Sequence, residues 1–257
     1  MYKPHIKESK KMKVISIINQ KGGVGKTTTA HNIASGLRLK DKKVLLLDLD
    51  AQCNLTFALK GNNNKNIYDV LTGKLNILDA IENDFIAGSQ YLVTLQNKKG
   101  AEFILKYILQ KVENIYDYVI IDTPPALGII TINALTASDY VIITTTADIF
   151  AVQGIKLLSD TINTTKKNSN SYLKIMGILI TRFNSRTVMG KQFHDNINDI
   201  AQKINTKLFD TTIRESIAIR EAQAKQKDIF SYARYSTAGR DYKKLVDEIL
   251  ANDKGVN

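Results

Sequence analysis

Residues 20 to 28 read Gln20-Lys21-Gly22-Gly23-Val24-Gly25-Lys26-Thr27-Thr28. The apolar run Val14-Ile15-Ser16-Ile17-Ile18 precedes them and a helical pattern follows, which places them at the turn from a buried strand into a helix. A glycine-rich turn in that place suits phosphate. Without a Cβ the backbone approaches an anion closely, successive N–H groups point inward, and the helix start adds the positive end of its dipole. The spacing predicts that Gly22, Gly23, Val24, Gly25 and Thr28 line the phosphates, that Lys26 reaches the β- and γ-phosphates, and that the Thr27 hydroxyl holds Mg²⁺. One position departs from the common pattern. Glycine is usual five places before Gly25, and this chain has Gln20 there with a second lysine, Lys21, beside it.

The elements around this loop repeat one alternation. Residues 26–39 carry Ala30, Ile33, Ala34 and Leu37 at helical spacing. Val44-Leu45-Leu46-Leu47-Asp48 is a continuous apolar run too short for a helix, as expected of a parallel strand buried on both faces. Tyr118 to Asp122, stopped by Pro124-Pro125, Tyr140 to Thr144, and Ile175 to Thr181 read as further strands. Helical patterns fall at 103–112, 128–135, 152–163 and 237–251, with short helices at 67–71 and 77–81, a loop at 61–64 and a short strand at 85–87. Beyond Arg182 basic residues recur. The pattern predicts an α/β fold, a doubly wound, mainly parallel sheet with helices on both faces. Residues 13–252 then form one domain, after a basic, loosely ordered segment 1–12 and before a tail 253–257.

Two strands end in carboxylates, Asp48-Leu49-Asp50 and Ile121-Asp122, and ligands of parallel sheets bind at those ends. A triphosphate requires Mg²⁺ across its β and γ oxygens, and Asp122 is the natural carboxylate to orient the waters of that ion. Asp50 is placed to position the attacking water, with Asp48 supporting the Mg²⁺ surroundings and the loop geometry.

With 257 residues and 44% hydrophobic content, the chain suits one α/β domain. Its 36 basic against 25 acidic residues give a formal charge of +11, which points to a polyanionic partner, nucleic acid or anionic lipid. One cysteine, Cys53, allows neither an intramolecular disulfide nor a C-x-x-C motif, so a reducing cytoplasm is the expected setting. No run reads as a signal peptide or approaches a membrane span.

Lys21 to Thr28, Asp48-Leu49-Asp50-Ala51-Gln52-Cys53-Asn54, Ile121 to Pro125 and Thr131 to Asp139 together resemble the ParA/Soj partition ATPases of the ParA/MinD family, the P-loop NTPases of deviant Walker A type. The resemblance runs in order from about residue 13 to 250. It implies ATP or ADP with Mg²⁺ as ligands, Asp50, Lys21 and Lys26 as catalytic groups, with Lys21 contacting nucleotide across a homodimer, and Asn54 and Arg214 near the nucleotide. It also implies non-specific DNA binding by the ATP-bound dimer, through Arg186 with Arg214 and Arg220 as further candidates. A ParB-like centromere-binding protein, a nucleoid-associated place in the cytoplasm and no membrane are the remaining implications. The first strand begins almost at once, so operator binding by a long N-terminal helix-turn-helix is not expected. Ala51 stands where proline is usual, Cys53 where glycine is usual, and Ile213-Arg214-Glu215 where many relatives have Ile-Pro-Arg.

A MinD-like membrane-associated positioning ATPase is the alternative. It needs a C-terminal amphipathic helix with a basic face, and residues 242–251 carry Asp247 and Glu248 among the lysines. A nitrogenase-type iron protein needs more cysteines than Cys53. Tyr232, Tyr235 and Tyr242 could suggest a bacterial tyrosine kinase of related fold, but are read as packing residues.

Overall fold

The computed structural model describes residues 12–95, 100–148, 150–184 and 188–254. The segment expected to be loose therefore lies outside the described residues except for Met12, which is buried, and Arg186 lies outside them too. The element order is β1 (Lys13–Ile18), α1 (Lys26–Arg38), β2 (Val44–Asp48), α2 (Asn54–Ala58), α3 (Ile67–Leu71), α4 (Ile77–Ala80), β3 (Phe85–Ile86), α5 (Ile104–Leu109), β4 (Tyr118–Asp122), α6 (Ile129–Ala137), β5 (Tyr140–Thr145), α7 (Ala151–Asn168), β6 (Lys174–Ile180), α8 (Val188–Lys203), α9 (Ile217–Ala224), α10 (Ile229–Ala233) and α11 (Thr237–Lys254).

The six strands stand in the order β3-β2-β4-β1-β5-β6, all parallel. β1 is central, with β4 and β5 as its neighbours, so the loop leaving β1 emerges in the middle of the sheet's C-terminal edge. Continuous apolar strands follow from burial on both faces. Val44 and Leu46 pack with α1 and α11 through Ala30, Ile33, Leu37, Leu245 and Val246. Leu45 and Leu47 face the other way, against Ile67, Val70, Leu105 and Ala134.

Gly36 is where α1 meets α11. A Cβ there would stand 2.6 Å from Val246 Cγ2 and 3.1 Å from the Phe230 ring, so only hydrogen fits. Gly36→Val is expected to cost about 1–3 kcal/mol by overpacking. A thermal melt unchanged from the parent chain would contradict that.

Where the sequence reading and the structure differ, polarity is the cause. The helix expected at 152–163 runs to Asn168, because Thr164 to Asn168 are polar and carry no apolar periodicity to read; Thr161, Thr164 and Thr165 donate their hydroxyls to carbonyls four residues back. The helix expected at 103–112 is α-helical only over α5, with 3₁₀ turns at Ala101–Phe103 and Gln110–Val112. α2, α8, α9 and α10 were not predicted. In α8 the signal was present, Phe193, Ile197 and Ala201 at four-residue spacing and all buried, among charged and polar neighbours. The last helix passes its expected end at residue 251 and reaches Lys254. Tyr242 packs in the core at 1% exposure, whereas Tyr235, read as a packing residue, is 79% exposed beneath the Arg234 guanidinium.

Candidate active site

The loop between β1 and α1 takes its shape from two glycines with positive φ, Gly23 at 74° and Gly25 at 81°, a conformation a Cβ strains. Gly25 caps α1 without a side-chain acceptor, which leaves the helix's first N–H groups free for an anion. Thr181, the residue after β6, braces this turn: its hydroxyl donates to the Val24 carbonyl at 2.9 Å and lies at 3.1 Å from the Thr145 carbonyl. Lys26 Nζ donates to the Lys21 carbonyl at 3.1 Å. Burial lowers the Lys26 pKa, opposed by the nearby carboxylates of Asp122 and Asp50.

These residues open into a cleft of about 710 Å³, within the range of small-ligand sites. Gly22, Gly23, Gly25, Lys26, Thr27 and Thr28 form one end of it, with Asp50 and Asn54 on one wall. The other end is built from 213–216 and α9, including Ile219, Arg220 and Gln223. Gln223 Nε2 donates to the Thr28 hydroxyl at 2.8 Å and joins the two ends.

Asp48 and Asp122 lie side by side in register across β2 and β4. Asp48 is fully buried and accepts from the Asp50 N–H at 3.0 Å, the Thr56 N–H at 2.9 Å and the Thr56 hydroxyl at 2.7 Å. It staples the loop to α2. Burial nevertheless pushes its pKa up to about 6. Gly88 closes this contact, since a Cβ there would meet the Asp48 carboxyl at 2.9 Å. Asp50 is 8% exposed, and its Oδ1 accepts from the Gln52 N–H at 3.0 Å. Cys53 follows with φ 53°, the left-handed conformation that explains the usual glycine. Burial, then Asp48 and Asp50, raises its thiol to about 11 and keeps it protonated.

Asp122 is the unusual group. Both of its oxygens are buried without a hydrogen-bond partner among the described residues. The neighbouring Thr27 hydroxyl and Lys26 favour its charged form, but burial and Asp48 outweigh them and hold its pKa well above the ordinary carboxylate range. A buried orphan carboxylate beside Thr27 and Lys26 fits a hydrated Mg²⁺, which keeps most of its waters and relies on phosphate oxygens for much of its hold. Among the described residues no cluster of three His, Cys, Asp or Glu side chains could hold a metal by itself. Thr27 and Asp122 are therefore the protein groups that would engage Mg²⁺ beside the phosphates. Asp122→Asn is expected to stabilise the ligand-free protein by about 1–3 kcal/mol, by relieving an unpaired buried acid. The same change should abolish the extra stabilisation that Mg²⁺ adds to ADP in a thermal shift. An unchanged magnesium increment would reject the assignment.

Lys21 and Val24 do not line this cleft. Both border an adjoining recess with Asp148, Phe150 and Leu157, and Lys21 Nζ pairs with Asp148 Oδ2 at 2.6 Å. Val24 is 2% exposed, and its carbonyl accepts from Thr181. Arg214 borders the cleft, but its guanidinium and its N–H are tied to the buried Asp241 carboxylate, Nε at 2.9 Å. That pair anchors 213–216, with the Arg214 side chain 46% exposed. Arg220 is exposed on α9. Sequence reading missed Thr181, Thr56 and Gln223; only Thr181 carried a signal, its place at the end of a parallel strand.

A strand-loop-helix phosphate cradle with two strand-end carboxylates defines a P-loop nucleotide hydrolase. A family model described as an AAA domain matches residues 12–175, and one described as 4Fe-4S iron sulfur cluster binding proteins of the NifH/frxC family matches 125–257. One cysteine cannot supply a cluster's thiolates. The chain is 36% identical over 253 residues to the sporulation initiation inhibitor protein Soj of Bacillus subtilis (strain 168), with 93% of this chain and 99% of that protein covered. A putative plasmid partition protein from Borrelia burgdorferi B31 bound to AMPPNP is 29% identical with a TM-score of 0.78, over 94% of this chain and 99% of that one. Cobyrinic acid a,c-diamide synthase from Mycobacterium smegmatis with bound ADP and magnesium is 28% identical with a TM-score of 0.80, over 96% and 97%. The chain belongs to the ParA/Soj family of partitioning ATPases.

Proposed function

We propose that this ATPase uses Mg-ATP to switch between a single chain and a homodimer that binds DNA without sequence preference, and so drives plasmid or chromosome segregation with a ParB-like centromere-binding protein. Its place in the cell is then the cytoplasm, on the nucleoid. The observation that carries the reading is the position of Lys21. It belongs to the phosphate loop yet lies outside its own cleft, on the surface beside Asp148, and this supports reading it as the group that meets a second copy's triphosphate.

The residues divide the work as follows. Loop N–H groups and Lys26 hold the β- and γ-phosphates. Magnesium, when bound, neutralises charge across those phosphates, with Thr27 and Asp122 around it. Asp50 orients water at the γ-phosphate. Lys21 of each copy offsets the negative charge that two facing triphosphates bring to the interface, so ATP favours the pair more than ADP does. Pairing then sets two copies of a strongly basic surface side by side, and their phosphate contacts on DNA add. Arg220 and Arg186 are the arginines offered for that contact.

A membrane surface is the less favoured partner. The apolar face of α11, Tyr242, Leu245, Val246 and Ile249, is buried in the core and is not free to insert. Among the described residues no helix is long and apolar enough to cross a membrane. Filter binding tests the proposal: DNA retention should be roughly 10²-fold stronger with ATP than with ADP and should fall steeply with salt. Equal retention in the two nucleotides would end it.

A further inference from the structure

A second cleft, also about 710 Å³, lies between α7, α8 and the start of β6. β6 begins here at Lys174 and ends beside the phosphate loop, so its seven residues separate the two clefts by roughly 20 Å. Four lysines line it, Lys156, Lys166, Lys174 and Lys203, against one acid, Asp160. None of the four forms an ion pair among the described residues. Lys166 and Lys203 sit in the last turns of α7 and α8, where the helix dipole alone favours a cation. That explanation does not reach Lys156, early in α7, or Lys174, at the start of a strand. The floor is apolar, from Ile162, Ile175, Ile200 and Ile204.

We propose that this cleft docks an acidic, amphipathic segment of a partner protein, its carboxylates toward the lysines and its aliphatic side chains on the isoleucines. Cations around an apolar floor match a peptide that alternates the two characters. Duplex DNA is the less suited polyanion. It presents a convex, uniformly polar phosphate surface that neither enters a recess of this size nor uses an isoleucine floor. The cleft shares no lining residue with the phosphate cleft or with the Lys21 recess, although α7 contributes residues to both that recess and this cleft.

The test measures fluorescence anisotropy of a labelled helical peptide with a glutamate face and a leucine face, against a glutamate/glycine peptide of equal charge and a short DNA duplex. The double variant Lys156→Glu with Lys203→Glu should weaken binding of the Glu/Leu peptide by about tenfold or more. The control Lys60→Glu with Lys111→Glu, which alters exposed lysines elsewhere by the same charge, should leave a markedly smaller loss. Lys156→Gln with Lys203→Gln repeats the measurement if charge reversal disturbs folding, and ATP hydrolysis should stay at the parent rate in both. Equal losses in cleft and control variants, or equal affinity for the glycine peptide, would overturn the proposal. So would a cleft variant that loses duplex binding and keeps the peptide, an outcome that assigns the lysines to nucleic acid.

Discussion

Asp50→Ala is expected to lower ATP turnover by roughly 10²–10⁴-fold, the range for loss of a positioned general base, while nucleotide affinity stays near that of the parent chain. The two halves of this expectation come from different atoms. The loop holds its shape through the Asp50 backbone, whose N–H is gripped by Asp48, and through Thr56 on the same carboxylate. Truncating the Asp50 side chain removes the contact of its Oδ1 with the Gln52 N–H and its attraction for the Lys26 ammonium, but the larger attraction from Asp122 and the backbone bonds of the loop remain, so the phosphate loop, Lys26 and Thr27 keep their places. What is lost is a carboxylate at 8% exposure on the wall of the cleft, the group proposed to hold the attacking water. The trapped ATP state should then accumulate as a dimer. Single-turnover hydrolysis and gel filtration with ATP read the two effects separately. Turnover within about threefold of the parent rate would remove Asp50 from the chemistry, and a monomer with ATP bound would count against the pairing.

Asp50 and Asp122 should fail in different ways, which makes the pair diagnostic. Asp122 carries a stability cost that its partner groups do not cancel, so its replacement is expected to raise the melting point of the free protein as it weakens the magnesium response. Asp50 is not an orphan of that kind and should give no such gain.

The parts of this site that the sequence disclosed are those held by near neighbours. The phosphate loop, β2 and β4 announce themselves through glycine spacing and short apolar runs that end in aspartate, features a local reading captures. Partners that arrive from far along the chain stayed hidden. Asp241 comes from α11, 27 residues after Arg214, and makes that arginine an anchor for 213–216. Gln223 reaches Thr28 across 195 residues, and Lys21 meets Asp148 across 127. The chemistry of a lone arginine or lysine in a sequence is open until the fold supplies its carboxylate. α8 was obscured differently, because its buried residues form a narrow stripe among charged and polar neighbours such as Asp195, Asn196, Asn198 and Asp199.

Lys21→Ala carries the second large effect, a dimer weakened by roughly 10²–10⁴-fold in the presence of ATP. A charge-assisted contact to phosphate contributes about 1.5–3 kcal/mol, and two-fold symmetry makes every loss occur twice. In the single chain Lys21 forms only a surface ion pair, with its side chain 53% and Asp148 28% exposed. Such a pair contributes about 0–1 kcal/mol, so it opens readily when a triphosphate on a second copy competes for the ammonium. The same comparison sets the sign for Asp148. Asp148→Asn removes the competitor, and the dimer should tighten, though by no more than about fivefold at each of its two sites on that scale, or about thirtyfold in all. Sedimentation equilibrium in the Asp50→Ala background, where hydrolysis does not drain the ATP state, would measure both changes. Lys21→Ala should keep its affinity for ADP, because Lys26 and the loop N–H groups remain. An unchanged dimer constant would return Lys21 to the surface as an ordinary lysine. Loss of ADP binding as well would place it in its own cleft rather than in a partner's.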